Sequence, residues 1–168
     1  MKISVIGLGF VGLSLAVTNA TKGFKTIGVD INDLKINDLK KGKPGFFEPQ
    51  LNKKLKDAIN SNNISFTSNF HDAINNSDIT FLTVGTPPNK TGNIDLKFIK
   101  NASNQIFNEL KTKKKYHLLV VKSTLSPSTT KNTILPIFKK IIQSKKMDVV
   151  VNPEFLREGF AIKDLLEP

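Results

Sequence analysis

Six apolar runs rich in valine, isoleucine and leucine recur along the chain, separated by stretches with the spacing or composition of helices. The runs cover residues 2–7, 25–30, 63–68, 78–84, 117–121 and 148–151. Near-continuous apolar strands are typical of sheets buried on both faces, and strands that alternate with helices form parallel sheets. Six such strands complete a doubly wound α/β sheet of Rossmann type with the order 3-2-1-4-5-6. We therefore predict a single domain with this fold over residues 1–168.

The clearest predicted helices lie in the second half of the chain. Residues 96–111 carry apolar side chains at helical spacing. Another helix is expected from about Ser128 to Gln143, with Pro136 inside it. Ser126 followed by Pro127 has the pattern of an N-cap and a first helical residue, so this helix should begin close to them.

A glycine-rich turn, GLGFVG, follows the first predicted strand and opens the first predicted helix. Gly7, Gly9 and Gly12 have the spacing at which one glycine permits a tight turn, one admits a pyrophosphate and one lets the helix pack closely. The helix N-terminus then offers free N–H groups to the phosphates. Asp30 ends the second strand, where a carboxylate accepts from ribose hydroxyls and repels a 2′-phosphate. The pattern predicts a site for NAD rather than NADP.

The loops after the fourth and fifth strands should reach the same crevice as the glycine-rich turn, because the predicted order places the fourth strand beside the first. In the first of these loops, VGTPP at residues 84–88, Thr86 either contacts the cofactor or only helps to turn the chain. In the second loop, capping does not explain Ser123 and Thr124, which favours a functional role for them.

The acidic segment, NPEFLREG at residues 152–159, follows the sixth strand. Asn152 and Pro153 form a good helix start, and Glu154 in the first turn would complement the helix dipole. That interpretation would place Glu158 near the C-terminus of the helix, where the helix dipole disfavours a negative charge. Because both carboxylates follow the last strand at the ligand-binding edge, they are candidates for chemistry.

Composition excludes several other classes of site. The chain has no cysteine, and its two histidines, His71 and His117, are far apart and lack the spacing of metal ligands, so we expect no metal site. The net charge of +11 comes mostly from scattered lysines that are not interleaved with aromatic residues, which favours solvated helix faces over nucleic-acid binding. No run is long enough to span a bilayer, and glycines interrupt the apolar N-terminus, so we expect a cytoplasmic protein without a membrane partner.

The segments GLGFVG, VGTPP, KST and NPEFLREG, in this order, resemble the N-terminal signatures of the nucleotide-sugar dehydrogenases. That family oxidises the 6-hydroxyl of UDP-glucose, GDP-mannose or UDP-N-acetylmannosamine to the uronic acid in two NAD-dependent steps. The resemblance is greatest to UDP-glucose 6-dehydrogenase. It covers the whole chain and implies an NAD-binding domain that is a fragment, without the family's central helix, its C-terminal sugar-nucleotide domain and its cysteine nucleophile. It also implies a homo-oligomeric full-length enzyme.

Carried over position by position, the resemblance implies three groups of site residues. The cofactor-binding residues would be Gly7, Leu8, Gly9, Phe10, Val11, Gly12, Asp30, Lys35, Val84, Gly85, Thr86, Pro87, Ser123 and Glu158. The sugar-nucleotide site would be lined by Glu154, Phe155, Leu156, Arg157 and Glu158. Glu154 would be the general acid and base, and Thr124 would orient the hydrolytic water.

The chain departs from the family pattern in two of these regions. Ser128 stands where the family usually has glycine, in Pro-Gly-Thr-Thr. Lys35 stands where some members use arginine to hold the adenosine ribose, so a point charge replaces a fork of donors.

Two other functions fit part of the sequence. The chain could belong to an NAD dehydrogenase for another hydroxy substrate, such as a β-hydroxy acid, although the acidic segment argues against this. It could also be a stand-alone module that senses NAD or uses its positive charge to bind nucleic acid.

Overall fold

The computed structural model describes residues 1–90 and 92–167, and within them the chain forms one parallel sheet of six strands. The strands are β1 (Lys2–Ile6), β2 (Lys25–Val29), β3 (Ile64–Thr67), β4 (Ile79–Leu82), β5 (His117–Val121) and β6 (Met147–Val151). Their order is β3-β2-β1-β4-β5-β6. The predicted doubly wound sheet and its strand order are therefore confirmed.

Helices cover both faces of this sheet. In the described part of the chain they are α1 (Phe10–Thr21), α2 (Asp33–Lys40), α3 (Leu51–Asn60), α4 (Phe70–Asn75), α5 (Lys97–Leu110), α6 (Leu135–Gln143) and α7 (Ala161–Leu166). A π-helical turn, Thr130–Ile134, leads directly into α6. None of these helices is long and apolar enough to cross a membrane.

Two hydrophobic cores hold the layers together, one on each face of the sheet. Neighbouring residues of β1 face opposite cores: Val5 packs with α1 and α3, whereas Ile6 packs with α4, α5 and α6. Both side chains are buried, and burial of an aliphatic side chain of this size stabilises a fold by about 1.5–3 kcal/mol. This burial on both faces explains why the strands read as near-continuous apolar runs.

The strand order reverses at β1, which makes the edge between β1 and β4 the topological switch point of the sheet. This strand pairs with β2 on one side and with β4 on the other. The loops that leave β1 and β4 therefore turn toward opposite faces and open a crevice at the carboxyl edge of the sheet, where open α/β sheets bind ligands.

The acidic segment is not helical, so the alternative interpretation of Asn152-Pro153 as a helix start is wrong. The described chain forms no helix between β6 and Ala161. The carboxylate of Glu154 accepts from the Leu156 N–H at 2.9 Å, and the Arg157 side chain binds Asp164. Local bonds of this kind compete with the hydrogen bonds that a helix would make.

The helix predicted from about Ser128 to Gln143 begins close to the expected residue, but its first turn, Thr130–Ile134, is π-helical rather than α-helical. Ser128 has a left-handed backbone with φ of 67°, and regular α-helical structure starts only at Leu135. Pro136 lies in the first turn of α6 and has no N–H to donate to the carbonyl four residues earlier, so an α-helical bond is missing there. The wider π-helical turn stands directly before this point.

Candidate functional site

One cavity of about 560 Å³ occupies the crevice at the carboxyl edge of the sheet. We call it the main cavity, and its volume lies within the range of small-molecule sites. It joins the loops after β1, β2, β4 and β5 to the acidic segment. The predicted site residues that line it are Gly7, Leu8, Gly9, Phe10, Val11, Asp30, Lys35, Val84, Gly85, Thr86, Pro87, Ser123, Thr124 and Glu154.

The glycine-rich turn meets the geometric demands of a pyrophosphate site. A Cβ added to Gly9 would meet no atom within 4 Å, so the absence of a side chain leaves open space beside the backbone. Gly9 is also the N-cap of α1, no side chain caps this helix, and its first turn holds no acidic residue. The first N–H groups of α1 are therefore free to bind an anion, and no carboxylate competes for them.

Asp30 lies at the opposite side of this turn and is held by several donors. Its Oδ2 accepts from the Leu8 N–H at 3.0 Å and from Lys35 Nζ at 2.8 Å, and its Oδ1 accepts from the Asn32 N–H at 3.1 Å. Burial alone would raise the pKa of this carboxyl, but Lys35 and the backbone donors outweigh burial and lower it. Asp30 is thus an ionised acceptor, and Oδ1 has capacity left for a ribose hydroxyl.

The loops after β4 and β5 are tied to each other by hydroxyl groups. Ser123 Oγ donates to the Val84 carbonyl at 2.7 Å, and Thr86 Oγ1 donates to the Thr124 carbonyl at 2.9 Å. Since each hydroxyl has a single hydrogen, Ser123 and Thr86 have no hydrogen left to donate to a ligand while these bonds persist. The predicted contacts of these loops with the cofactor would then come from backbone groups and oxygen lone pairs.

Glu154 stands between the main cavity and a second cavity of about 460 Å³. The second cavity is also lined by Thr124, Pro127, Lys131 and Val151, and Thr124 borders both cavities as well. Glu154 Oε2 accepts from the Leu156 N–H at 2.9 Å, which leaves Oε1 available. A carboxylate in this position can exchange a proton with a molecule in either cavity.

Sequence reasoning missed Lys122, which lines the main cavity. This lysine is only 6% exposed, and its Nζ donates to Asn152 Oδ1 at 3.0 Å and to the Pro153 carbonyl at 3.4 Å. Burial lowers the pKa of Lys122, and the charge of Glu154 opposes that shift. The sequence signal that could have identified Lys122 is its position directly after the predicted buried strand 117–121.

Several predicted residues lie outside the main cavity. The Phe155 ring is 87% exposed, and Leu156 and Glu158 do not line the cavity either. The guanidinium of Arg157 is 2.7 Å from the Asp164 carboxylate and 4.9 Å from the centre of the Phe160 ring. Gly12 is buried behind the turn. The roles assigned to 155–158 stay predictions.

The described residues include no group of three or more histidine, cysteine, aspartate or glutamate side chains placed to hold a metal ion. His117 instead bonds Thr80 beneath the sheet, and His71 pairs with Glu109 on the surface.

Comparison with known proteins identifies a family for this combination of fold and cavity. The model of the UDP-glucose/GDP-mannose dehydrogenase family, NAD binding domain, matches residues 1–168. The GDP-mannose 6-dehydrogenase of Pseudomonas putida is 38% identical over 171 residues, which is 100% of this chain and 39% of the relative. The chain thus spans about two fifths of the length of that relative.

Solved structures agree with this comparison. A ternary complex of GDP-mannose dehydrogenase from Pseudomonas aeruginosa superposes with a TM-score of 0.93 at 36% identity, over 98% of this chain and 38% of that one. A UDP-glucose dehydrogenase from Pyrobaculum islandicum gives a TM-score of 0.92 at 37% identity, over 99% and 39%. The chain therefore belongs to the UDP-glucose/GDP-mannose dehydrogenase family, as an NAD-binding domain of these nucleotide-sugar oxidoreductases.

Proposed function

We propose that this domain works in the oxidation of the 6-hydroxyl of a nucleotide sugar to the uronic acid, and that UDP-glucose is the substrate. The observation that carries the proposal is that Gly9 and Glu154 line one cavity. A cofactor whose phosphates lie on the glycine-rich turn can then extend toward the acidic segment. There, the Glu154 carboxylate also lines the second cavity of about 460 Å³, which would take the sugar.

The cofactor would be held at two well-separated points of the main cavity. The α1 N-terminus would bind the pyrophosphate, and Asp30 with Lys35 would bind the adenosine ribose. When bound there, NAD would supply the acceptor for the hydride that leaves the oxidised carbon. Lys35 already donates to Asp30 at 2.8 Å, so the lysine keeps the carboxylate ionised and ready to accept from the ribose.

Glu154 would remove the proton of the sugar hydroxyl through Oε1, since Oε2 is occupied by the Leu156 N–H. Thr124, which also borders both cavities, would orient the water that completes the hydrolytic step.

These 168 residues contain no cysteine, so the thiol that captures the aldehyde in this family must come from another part of the enzyme. We propose that residues 1–168 are the NAD-binding domain of a longer, homo-oligomeric enzyme. The length of the relatives supports this, since the chain covers 39% of the Pseudomonas putida protein.

Calorimetric titration of the 168-residue chain tests the cofactor part of the proposal. We expect NAD⁺ to bind at least about tenfold more tightly than NADP⁺, a difference of about 1.4 kcal/mol, because Asp30 repels a 2′-phosphate. A short DNA duplex at physiological salt should give no comparable signal. Tight DNA binding without an NAD⁺ signal would overturn the proposal in favour of a nucleic-acid-binding module.

Turnover in the full-length enzyme tests the substrate. NADH formation is measured with UDP-glucose, GDP-mannose and a β-hydroxy acid, and we expect the highest kcat/KM with UDP-glucose. The relatives are named for both sugar nucleotides, so activity with GDP-mannose alone would keep the reaction and correct the sugar. Activity only with the β-hydroxy acid would contradict the assignment of the reaction.

A further inference from the structure

Two buried charges outside the predicted site contact the two ends of the acidic segment. We propose that Glu48 and Lys122 are positioning residues that hold this segment, and with it Glu154, against the main cavity. The proposal rests on the proposed function only for its catalytic consequence. We call the two contacts of Glu48 and Lys122 with the acidic segment the clamp, and its existence can be tested on the isolated chain.

Glu48 holds the carboxyl end of the segment. It lies in the loop between α2 and α3, is only 4% exposed, and its Oε2 accepts from the Gly159 N–H at 2.8 Å. Its Oε1 is buried and has no hydrogen-bond partner among the described residues. The same loop reaches the cofactor half of the site, since the Phe46 ring lies 5.5 Å from the Phe10 ring.

Lys122 holds the amino end of the segment. Its Nζ bonds Asn152 and Pro153, immediately before Glu154. Between the two anchors, the one hydrogen bond of the Glu154 side chain among the described residues is to Leu156, within the segment itself. Arg157 adds an ion pair with Asp164, but its side chain is exposed, and exposed pairs contribute little.

Neither buried charge has an ion-pair partner within residues 1–90 and 92–167. Burial of an unpaired charge destabilises a fold, and apolar replacement of buried ionic groups is often neutral or stabilising. Moreover, the residues that Glu48 and Lys122 contact, Gly159, Asn152 and Pro153, are exposed and can bond water instead. Stability therefore does not account for these charges, whereas placement of the acidic segment does.

The test compares Glu48→Met and Lys122→Met, which keep side-chain volume, with Glu48→Gln, whose amide oxygen can still accept from Gly159. In the 168-residue chain, both methionine variants should melt at the wild-type temperature or above. Hydrogen exchange at residues 154–160 should accelerate about two- to tenfold, the equivalent of one net hydrogen bond of 0.5–1.5 kcal/mol. Affinity for NAD⁺ should stay within about twofold in Glu48→Met, since Glu48 does not line the main cavity, and Glu48→Gln should exchange like the wild type.

Lys113→Met is the matched control, because this buried lysine donates to the carbonyls of Ile74 and Ser77 far from the acidic segment. It should lower the melting temperature, because Ile74 and Ser77 are buried and their carbonyls cannot bond water instead, and it should leave exchange at 154–160 unchanged. In the full-length enzyme, the two clamp variants should lower kcat by about tenfold, with Glu48→Gln restoring it.

Some outcomes would overturn the proposal. If Glu48→Met and Lys122→Met fail to fold, or melt earlier with unchanged exchange at 154–160, both residues are structural and the clamp is wrong. If the wild-type chain does not bind NAD⁺, the proposed function fails, but the exchange data still decide whether the clamp exists.

Discussion

At the scale of single residues, the three glycines of the first turn serve different purposes. Gly7 has φ of 94°, a backbone conformation that side chains rarely adopt. A Cβ on Gly12 would lie 1.8 Å from the Gly7 carbonyl oxygen, whereas a Cβ on Gly9 would meet nothing within 4 Å. Substitutions at Gly9 and Gly12 should therefore separate ligand binding from folding.

We expect Gly12→Ala to lower the free energy of unfolding by about 1–3 kcal/mol, because the new methyl group forces the helix away from the turn. Gly9→Ala should change stability by less than about 1 kcal/mol but weaken NAD⁺ binding at least about tenfold, since the methyl group fills the space for the pyrophosphate. Chemical denaturation and NAD⁺ titration of both variants measure this. Equal stability losses, or full NAD⁺ affinity in Gly9→Ala, would contradict the assignment.

At the scale of elements, the start of α6 shows a local conflict between sequence and backbone. Ser128 adopts the left-handed conformation, in which a non-glycine residue is strained, at the position where the family usually has glycine. Regular α-helix begins only seven residues later, at Leu135. Serine at this position therefore carries a backbone strain that glycine would not have.

Ser128→Gly should stabilise the chain by about 1 kcal/mol, because glycine adopts this backbone without strain. The matched control is Thr129→Gly. Thr129 has φ of −59°, so glycine there relieves no strain. It raises the conformational entropy of the unfolded chain and should destabilise the fold by up to about 1 kcal/mol. Thermal melting of both variants decides the point, and a loss of stability in Ser128→Gly would refute the explanation.

The elements themselves were largely predictable, whereas the contacts that join distant loops were not. The strands and the glycine-rich turn follow from local periodicity and turn chemistry, which the sequence displays directly. The strand order follows from the number of strands in a doubly wound sheet. Glu48 contacts Gly159 across 111 positions of sequence, and no local pattern reports such a pair. The acidic segment has good helix-start residues, but its carboxylate and Arg157 find other partners, and those contacts decide its conformation.

At the scale of the whole molecule, a buried polar network joins β1, β4 and β5 beneath the sheet, at the end opposite the cavity. Lys113 donates to His117 Nδ1 at 2.9 Å, and His117 Nε2 bonds Thr80 at 2.7 Å. Thr80 continues the chain to Ser4 at 2.7 Å. Burial, reinforced by the charge of Lys113 and opposed by Ser77 and Asp78, lowers the pKa of His117 to about 4.

This pKa predicts a pH dependence of global stability. The unfolded chain binds a proton at His117 below pH 6.5, its ordinary pKa, but the folded chain does so only near pH 4. Stability from this group is thus complete above pH 6.5 and falls by about 3 kcal/mol as the pH drops to 4. Denaturation across this range measures the slope, which His117→Gln should remove. An unchanged slope in that variant would assign the effect to other groups.

The two ends of the main cavity offer unequal opportunities to an engineer. Around Val84 and Thr124, the hydroxyl hydrogens of Ser123 and Thr86 already bind neighbouring loops, so a cofactor there would be held by main-chain groups and hydroxyl oxygens. Asp30, by contrast, presents a replaceable side chain. Redesign of the dinucleotide preference should therefore begin at Asp30. Substitutions of Ser123 or Thr86 at the other end would break the hydrogen bonds that hold the two loops together.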